Sequence, residues 1–174
     1  MDFFSIMSND LKSFIKNIKD KKVLFIGVGN VLKSDDGVGC YIVEELNKKI
    51  LKTNFYFINA GVVVENYLGK IVDINPDVIV FVDALKVNFQ SEQKNKFFIF
   101  EKEQLLNYTF STHNISLSTI IEFLNTELKE KFNKDVGIYI LGVKPNSLDF
   151  GESLTEETKK FADEIIENIY SCLG

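Results

Sequence analysis

The stretch Gly27-Val-Gly-Asn-Val-Leu-Lys-Ser-Asp-Asp-Gly-Val-Gly39 decides the fold that this chain can adopt. It overlaps the end of an apolar run that is typical of a buried strand, Val23–Gly27, and it leads into an amphipathic stretch that is typical of a helix, Val38–Lys49. Open α/β folds place ligand sites at such glycine-rich turns between a strand and a helix. Most of these turns bind phosphate, but the adjacent carboxylates of Asp35 and Asp36 repel phosphate and attract a cation.

The composition narrows the class of protein. The 174 residues are 45% hydrophobic, carry a net charge of −5 and include no arginine. We expect one globular domain with a sizeable core and no nucleic-acid partner, because nucleic-acid and phosphate recognition favour arginine. The isolated Cys40 and Cys172 indicate reduced thiols in a cytoplasmic protein. The sequence shows no signal-peptide pattern and no apolar run long enough to span a membrane, so we expect no membrane association.

Apolar and amphipathic segments alternate along the rest of the chain. The further predicted strands are Phe55–Ala60, Asp77–Asp83, Lys96–Glu101 and Val136–Val143. The further predicted helices are a short one capped by Ser8 with Leu11, Phe14, Ile15 and Ile18 at helical spacing, then Glu65–Val72 and Leu117–Lys131. The final helix is predicted to open with a capping box, Ser153-Leu-Thr-Glu156. Its inward face is predicted to carry Phe161, Ile165, Ile166 and Ile169. This alternation predicts an α/β fold, a three-layer αβα sandwich with a mainly parallel, twisted five-stranded sheet and helices on both faces.

Three groups that can bind a metal ion follow strands of this predicted sheet. Asp36 follows the first strand, Asp83 ends the third, and His113 lies in the loop after the fourth. Because the functional crevice of a parallel sheet lies at the carboxyl ends of its strands, we expect the three groups on one edge. Two carboxylates and an imidazole make an incomplete coordination shell, whose open positions can take water or a substrate group.

Each of these residues also has a purely structural interpretation. One of the adjacent aspartates, Asp35 or Asp36, can cap the helix that follows, and the spacing alone does not decide which of them stays free. Asp83 can act as a cap or turn residue before Ala84, although a carboxylate at the end of an apolar strand is costly to bury. His113 can be a loop histidine with no catalytic task.

A dinucleotide site is an alternative interpretation of the opening turn. Gly27 and Gly29 match the first two glycines of the G-x-G-x-x-G pattern, but Leu32 replaces the third. The helix begins later than pyrophosphate binding requires, and Asn59 stands near the end of the second strand, where an acidic residue would be needed. A nucleotide-binding α/β enzyme is therefore the less favoured alternative.

The motifs resemble those of the hydrogenase maturation endopeptidases, which remove a C-terminal peptide from the large subunit of NiFe hydrogenases. The opening pattern of that family, GxGNxLxxDxGxG after an apolar strand, stands here at residues 27–39. Its strand ending in V-D-A is Phe81-Val-Asp-Ala84, and its T-H segment is Ser111-Thr-His-Asn114. Its later G-x-x-P and G-x-x-L segments stand at Gly142-Val-Lys-Pro145 and Gly151-Glu-Ser-Leu154.

The resemblance implies the domain organisation and the reaction. The match runs from about residue 22 to the end of the chain, so residues 1–174 form a single domain, with an N-terminal helical extension at 1–21 and a peptidase domain at 22–174. The implied enzyme is a hydrolase, sometimes classed with the aspartic peptidases. It would remove the C-terminal extension of a NiFe hydrogenase large-subunit precursor after nickel insertion.

The resemblance also implies the site. In the family, the residues at the positions of Asp36, Asp83 and His113 bind metal, here nickel that the precursor supplies. We hypothesise that one of the two carboxylates, Asp36 or Asp83, or the metal itself activates the attacking water. Asp35 is then the helix cap and structural anchor, and the glycines let a bulky protein substrate approach the backbone. The expected partner is the precursor, and the sequence leaves the oligomeric state open, with a monomer as one option. A non-catalytic chaperone that binds metal or hydrogenase is the alternative.

Overall fold

A computed structural model describes residues 11–85, 97–103 and 114–173 of the chain. Within these ranges the strands are β1 (Val23–Val28), β2 (Phe55–Gly61), β3 (Val78–Ala84), β4 (Phe97–Glu101) and β5 (Gly137–Val143). The α-helices of the same ranges are α1 (Leu11–Ile18), α2 (Val38–Lys49), α3 (Leu68–Ile74), α4 (Asn114–Phe132) and α5 (Glu156–Leu173). Short 3-10 helices precede α2 at Ser34–Gly37 and α3 at Val64–Tyr67.

The five strands form one sheet in the order β2-β1-β3-β5-β4. The strands β1, β2, β3 and β5 run parallel, with Val23 opposite both Phe55 and Val78. The edge strand β4 is antiparallel to β5, and its first residue, Phe97, pairs with Val143. Every residue of β1 and β3 is buried, as expected for central parallel strands that are covered on both faces.

Side chains that alternate along each strand divide the core into two layers. In β1, Leu24 and Ile26 pack with α3 and α4 on one face of the sheet. Val23 and Phe25 point to the opposite face, where they pack with α1, α2 and α5. The predicted fold class is therefore confirmed, because the mainly parallel sheet has helices on both faces.

The start of α5 differs from the prediction. The capping box at Ser153 is wrong, because α5 begins at Glu156 and the preceding Thr155 is its cap, with Oγ1 accepting the N–H of Thr158 at 3.3 Å. Ser153 lies before the cap, where its carbonyl accepts the hydroxyl of Ser34 at 3.1 Å. The inward stripe of α5 also shifts, since Ala162 is buried and Phe161 is only half-buried.

Other predicted elements agree in type and differ at their ends. The segment predicted as one helix at Glu65–Val72 begins as a 3-10 helix and becomes α3 only at Leu68. The predicted cap at Ser8 lies outside the described residues. Within the ranges given above, the chain has no helix that is both long enough and apolar enough to cross a membrane.

Candidate functional site

The carboxyl ends of the four parallel strands lie along one edge of the sheet, here called the carboxyl rim. It is formed by the last residues of these strands, Val28, Gly61, Ala84 and Val143. Because β4 is antiparallel, it begins at this rim and ends near the opposite edge, where Glu101 pairs with Tyr139. His113 was predicted at the rim because the loop after β4 was expected to leave the sheet there. Since β4 ends near the opposite edge, that reason is wrong.

Three glycines bring the acidic turn and the first turn of α2 into direct contact with the strand ends. A Cβ on Gly39 would lie 2.0 Å from the carbonyl oxygen of Val82, and one on Gly27 would lie 2.6 Å from the carbonyl oxygen of Gly39. Gly29 has φ +138°, and a Cβ there would lie 1.8 Å from the carbonyl oxygen of Asp36. The chain's own backbone fills the space at these glycines. The interpretation that they admit a substrate is therefore wrong.

The carboxylate of Asp35 is fully buried and does not cap α2. It accepts the backbone N–H groups of Asn146, Ser147 and Thr155 at 2.9, 3.0 and 2.7 Å. The hydroxyls of Thr155 and Thr158 also donate to it. The predicted helix cap is therefore wrong, but the predicted anchor is confirmed, because Asp35 ties the acidic turn to the loop between β5 and α5.

Hydrogen bonds also set the charge of Asp35. Burial by itself raises the pKa of this carboxyl, but the N–H groups of Thr155 and Ser147 and the hydroxyl of Thr158 outweigh it, and the pKa lies below its ordinary value. Asp35 is thus a carboxylate at neutral pH, and both of its oxygens accept hydrogen bonds. The sequence did not reveal these donors. It indicated only that a helix cap would use one of the two adjacent aspartates and leave the other free.

Asp36 lies in the same turn and is 5% exposed. Its Oδ2 accepts the backbone N–H of Asn30 at 2.9 Å, and the side chain of Asn30 accepts the N–H of Leu32 at 3.0 Å. The end of β1 and the turn therefore hold Asp36 between them. Its position after β1 is the one expected from the sequence.

Asp83 lies near the end of β3 and is 1% exposed. Neither carboxylate oxygen has a hydrogen-bond partner among the described residues. Burial, together with the negative charge of Asp36, raises the pKa of Asp83 to about 7, although the backbone N–H of Ala84 lowers it slightly without reaching hydrogen-bond geometry. A buried carboxylate without partners is costly, so this residue is either protonated or completed by a ligand.

A cavity of about 20 Å³ opens beside Asp83. That volume accommodates one water molecule or one ion. Its apolar walls come from the ends of β1 and β2 and from α4, with Val28, Val62, Val64, Leu117 and Ile120, and Glu65 is a further acidic wall residue. The sequence analysis missed Glu65, whose signal is its position just after β2. His113 lies outside the described residues, but Leu117 is only four residues further along the chain.

Cys40 lies close to both aspartates without offering a nucleophile. It is buried, and its Sγ contacts the carbonyl oxygen of Gly29 at 3.6 Å. Burial, with the negative charges of Glu44, Asp83 and Asp36, raises the pKa of this thiol to about 11. The thiol therefore stays protonated at neutral pH, in agreement with its interpretation as an inert buried residue.

Exposed apolar side chains gather around the carboxyl rim. Of the eight large hydrophobic residues that are exposed in the described ranges, five follow β1 or β2 or lie in the loop before α5: Val31, Leu32, Val62, Val63 and Phe150. Leu32 is held next to that loop, because its carbonyl accepts the N–H of Gly151 at 3.0 Å. Apolar surface that gathers in one place is typical of a binding surface for another protein.

The arrangement can bind a cation from one side. Asp36 and Asp83 provide carboxylate oxygens at adjacent strand ends, and no cluster of three potential His, Cys, Asp or Glu ligands occurs within the described ranges. Two carboxylates alone leave most coordination positions open, so a metal here would need further ligands. The unpartnered oxygens of Asp83 fit such a role, because a metal would satisfy both of them.

Comparisons with known proteins agree on one family. The family model described as hydrogenase maturation protease matches residues 40–172. A protein of Methanocaldococcus jannaschii, provisionally assigned as a hydrogenase maturation protease, is 34% identical over 171 residues, which cover 94% of this chain and 94% of that protein. The crystal structure of a NiFe hydrogenase maturation protease from Thermococcus kodakarensis is similar, with a TM-score of 0.74 and 28% identity over 92% of this chain and 98% of that one.

A further comparison concerns the fold alone. The hydrogenase maturating endopeptidase HybD of Escherichia coli has a TM-score of 0.68 and 24% identity, over 87% of this chain and 91% of its own. The mainly parallel sheet with helices on both faces is thus shared with solved structures of that family. The family model covers about three-quarters of the chain and includes Asp83, and the matches to the three relatives cover 87 to 94% of the chain.

Proposed function

This chain belongs to the hydrogenase maturation protease family, and from that membership we propose that it removes the C-terminal extension of a NiFe hydrogenase large-subunit precursor once nickel has been inserted. The family makes the protein a peptidase. We propose in addition the substrate, the dependence on nickel and the roles of individual residues. Nickel enters as part of the precursor and is not a resident cofactor of the protease.

One observation carries the proposal. Asp83 is a buried carboxylate whose two oxygens have no hydrogen-bond partner in the described part of the chain, and it lies at the carboxyl rim within the electrostatic influence of Asp36. A fold does not retain such a group for stability, because its burial is unfavourable. A bound metal ion would compensate both the charge and the missing partners.

Recognition of nickel would use Asp36, Asp83 and His113 as ligands. Imidazole nitrogen suits nickel, and carboxylate oxygens are acceptable partners. To bind the metal, Asp83 must lose the proton that its raised pKa retains near neutral pH, so nickel binding releases a proton. A precursor without nickel would meet a neutral Asp83 and gain no such contact. The site would therefore distinguish loaded from unloaded precursor.

Hydrolysis would then proceed with a water molecule as the nucleophile. We propose that its proton passes to Asp36 or Asp83, or that the precursor's nickel activates it. Of the two carboxylates, Asp83 is better matched to proton transfer near neutral pH, because its pKa is raised to about 7. The thiol of Cys40 takes no part, since its pKa is raised to about 11.

The surface around the site supports a protein substrate. The exposed side chains of Val31, Leu32 and Phe150 lie beside the acidic turn, and those of Val62 and Val63 lie beside the cavity of Asp83. An apolar surface of this kind fits a folded protein better than a small polar metabolite. We propose that it contacts the precursor around its metal centre.

The test compares cleavage of nickel-loaded and nickel-free precursor by purified protein. Wild type should cleave only the loaded form. The variants Asp36→Asn, Asp83→Asn and His113→Ala should each lower the cleavage rate by about 10²-fold or more, because each removes a proposed ligand or proton acceptor. Asp135→Asn is the matched control, because Asp135 is an exposed aspartate just before β5 and is remote from the rim. This variant should cleave at the wild-type rate.

Two outcomes would exclude the proposal. Equal cleavage of loaded and nickel-free precursor would remove the nickel dependence, and full activity of all three site variants would remove the site. Nickel-dependent binding of the precursor without release of its extension would instead support the non-catalytic chaperone.

A further inference from the structure

The carboxylate of Asp35 connects two segments that are distant in sequence. Its donors lie 111 to 123 residues further along the chain, from Asn146 at 2.9 Å to Thr158 at 2.8 Å. All of them are N–H or O–H groups, so both oxygens of Asp35 act only as acceptors. The carboxylate therefore serves as a lock between the acidic turn and the first turn of α5.

Backbone hydrogen bonds reinforce the same connection. The N–H of Asp35 donates to the carbonyl of Ser147 at 3.2 Å, and the N–H of Ser34 donates to the carbonyl of Gly151 at 2.8 Å. The N–H of Gly151 in turn donates to the carbonyl of Leu32 at 3.0 Å. The loop between β5 and α5 and the turn after β1 thus form a single hydrogen-bonded unit.

The position of Asp36 depends on this unit. Its backbone N–H donates to the carbonyl of Lys33 at 3.0 Å, and its carbonyl lies so close to Gly29 that no side chain fits between them. Among the described residues, the carboxylate of Asp36 is held by one hydrogen bond, which the backbone N–H of Asn30 donates. If the lock at Asp35 opened, the turn would keep its contacts with β1, but only the hydrogen bonds with Ser147, Gly151 and Ser153 would connect it to the loop before α5.

We infer that Asp35 is a positioning residue, which through Thr155, Thr158 and the loop before α5 holds Asp36 in the geometry that the peptidase reaction needs. The inference rests on the proposed function, because it assigns a task to Asp36. It goes beyond it by placing the control of that task on α5, a helix that carries no proposed catalytic group. Small displacements of a catalytic group reduce the rate strongly, whereas most of the proposed contact with the precursor lies on the apolar side chains around the rim, so a loosened lock would lower turnover more than binding.

The experiment weakens the lock from the side of α5. In Thr158→Val the buried hydroxyl that donates to Asp35 is replaced by a methyl group of similar size, whereas Thr158→Ser keeps the hydroxyl. Thr126→Val is the control, because the hydroxyl of Thr126 is exposed in α4 and donates only locally, to the carbonyl of Glu122. For each variant we would measure kcat and KM on nickel-loaded precursor and amide hydrogen exchange of the turn and of β1.

We expect Thr158→Val to lower kcat about tenfold, with KM changed by no more than about twofold. Amide exchange should become faster in the turn at Ser34–Gly37 and stay unchanged in β1, since the opening is local. Thr158→Ser should restore kcat and slow exchange, and Thr126→Val should match wild type.

The inference is overturned if Thr158→Val exchanges and cleaves like wild type. It is also overturned if exchange rises equally in the turn and in β1 while kcat holds, because Asp35 would then support the fold and nothing more. Absence of cleavage by wild type would refute the proposed function without deciding the lock. In that case faster exchange confined to the turn still supports the lock, and unchanged exchange still refutes it.

Discussion

Asp35 and Asp83 are both buried aspartates near the carboxyl rim, and their surroundings give them opposite properties. Asp35 is surrounded by donors, which lower its pKa, whereas Asp83 lacks partners in the described part of the chain and has its pKa raised to about 7. The first arrangement stabilises the fold, and the second reduces its stability. At the scale of single residues, the structure thus separates a carboxylate that stabilises the fold from one that is unfavourable to bury unless a ligand completes it.

The raised pKa of Asp83 predicts a pH-dependent stability. In the metal-free protein the folded state keeps a proton up to about pH 7, whereas the unfolded state releases it near the ordinary pKa of 3.8. The free energy of unfolding should therefore fall as the pH rises between these values, by on the order of 1–4 kcal/mol. Asp83→Asn removes the titrating group, so we expect the variant to be more stable than wild type at pH 8 and to lose this slope.

Urea unfolding at several pH values between 4.5 and 8 checks the prediction for Asp83. Asp135→Asn is the control, because it changes the same chemical group at an exposed position. An Asp83→Asn protein that is less stable than wild type at pH 8 would contradict the argument. It would mean that the carboxylate has favourable contacts that the described residues do not provide.

Asp35→Asn should have the opposite effect. An amide has one acceptor oxygen and one NH2 group, so one orientation turns the NH2 group towards the N–H of Thr155, and the other turns it towards the donors of Asn146 and Thr158. We expect a loss of about 3 kcal/mol or more in the free energy of unfolding at neutral pH. Thermal unfolding measures it, with Asp149→Asn in the same loop as the control, where the carboxylate is exposed and accepts only from Ser147. Equal stability of the two variants would contradict the assignment.

Among the elements, the packing of α2 on the sheet depends on Gly39. A methyl group there would lie 2.0 Å from the carbonyl of Val82 and 2.6 Å from that of Val28, so α2 would have to move away from β1 and β3. We expect Gly39→Ala to lower the free energy of unfolding by about 2 kcal/mol or more and to reduce cleavage, because the acidic turn moves with the helix. The measurement is chemical unfolding together with the cleavage assay.

Gly69→Ala is a matched control for this prediction. Gly69 lies in α3, and a methyl group there would meet no atom within 4 Å. Alanine favours helix over glycine by roughly 1 kcal/mol, so this variant should be as stable as wild type or more stable. If both glycine variants lost the same stability, contact with the strand carbonyls would not be the cause.

The elements themselves were predictable where the signal is local. The bounds of α2, Val38–Lys49, agree with the prediction, because amphipathic spacing and the preceding glycine turn are both properties of a short stretch. The direction of β4 was not predictable, since an apolar run such as Phe97–Glu101 pairs equally well in either direction. The misplaced cap of α5 has a similar cause, because Thr155 is selected by its contact with Asp35, which is 120 residues away.

For the whole molecule, the features of the site that depend on local sequence were predictable, and those that depend on contacts between distant segments were not. The sequence placed Asp36 and Asp83 at strand ends, and the parallel pairing of β1 with β3 makes those ends neighbours. It could not give the burial of Asp83 or the donors around Asp35, because both depend on segments brought together only by the fold. His113 lies outside the described residues, so its role stays a prediction.

The first helix shows how far the core extends beyond the region that resembles the family motifs. In α1, Leu11, Ile15 and Ile18 are buried in the same core layer as α2, α5 and one face of the sheet. Ile15→Ala should therefore cost about 2–5 kcal/mol of unfolding free energy, whereas Lys16→Ala, one residue further and exposed, should change it by less than about 0.5 kcal/mol. Chemical unfolding of the full chain separates the two. If α1 were an appendage, both variants would unfold like wild type. If α1 is part of the core, Ile15→Ala should lower the stability of the single transition that also unfolds the site.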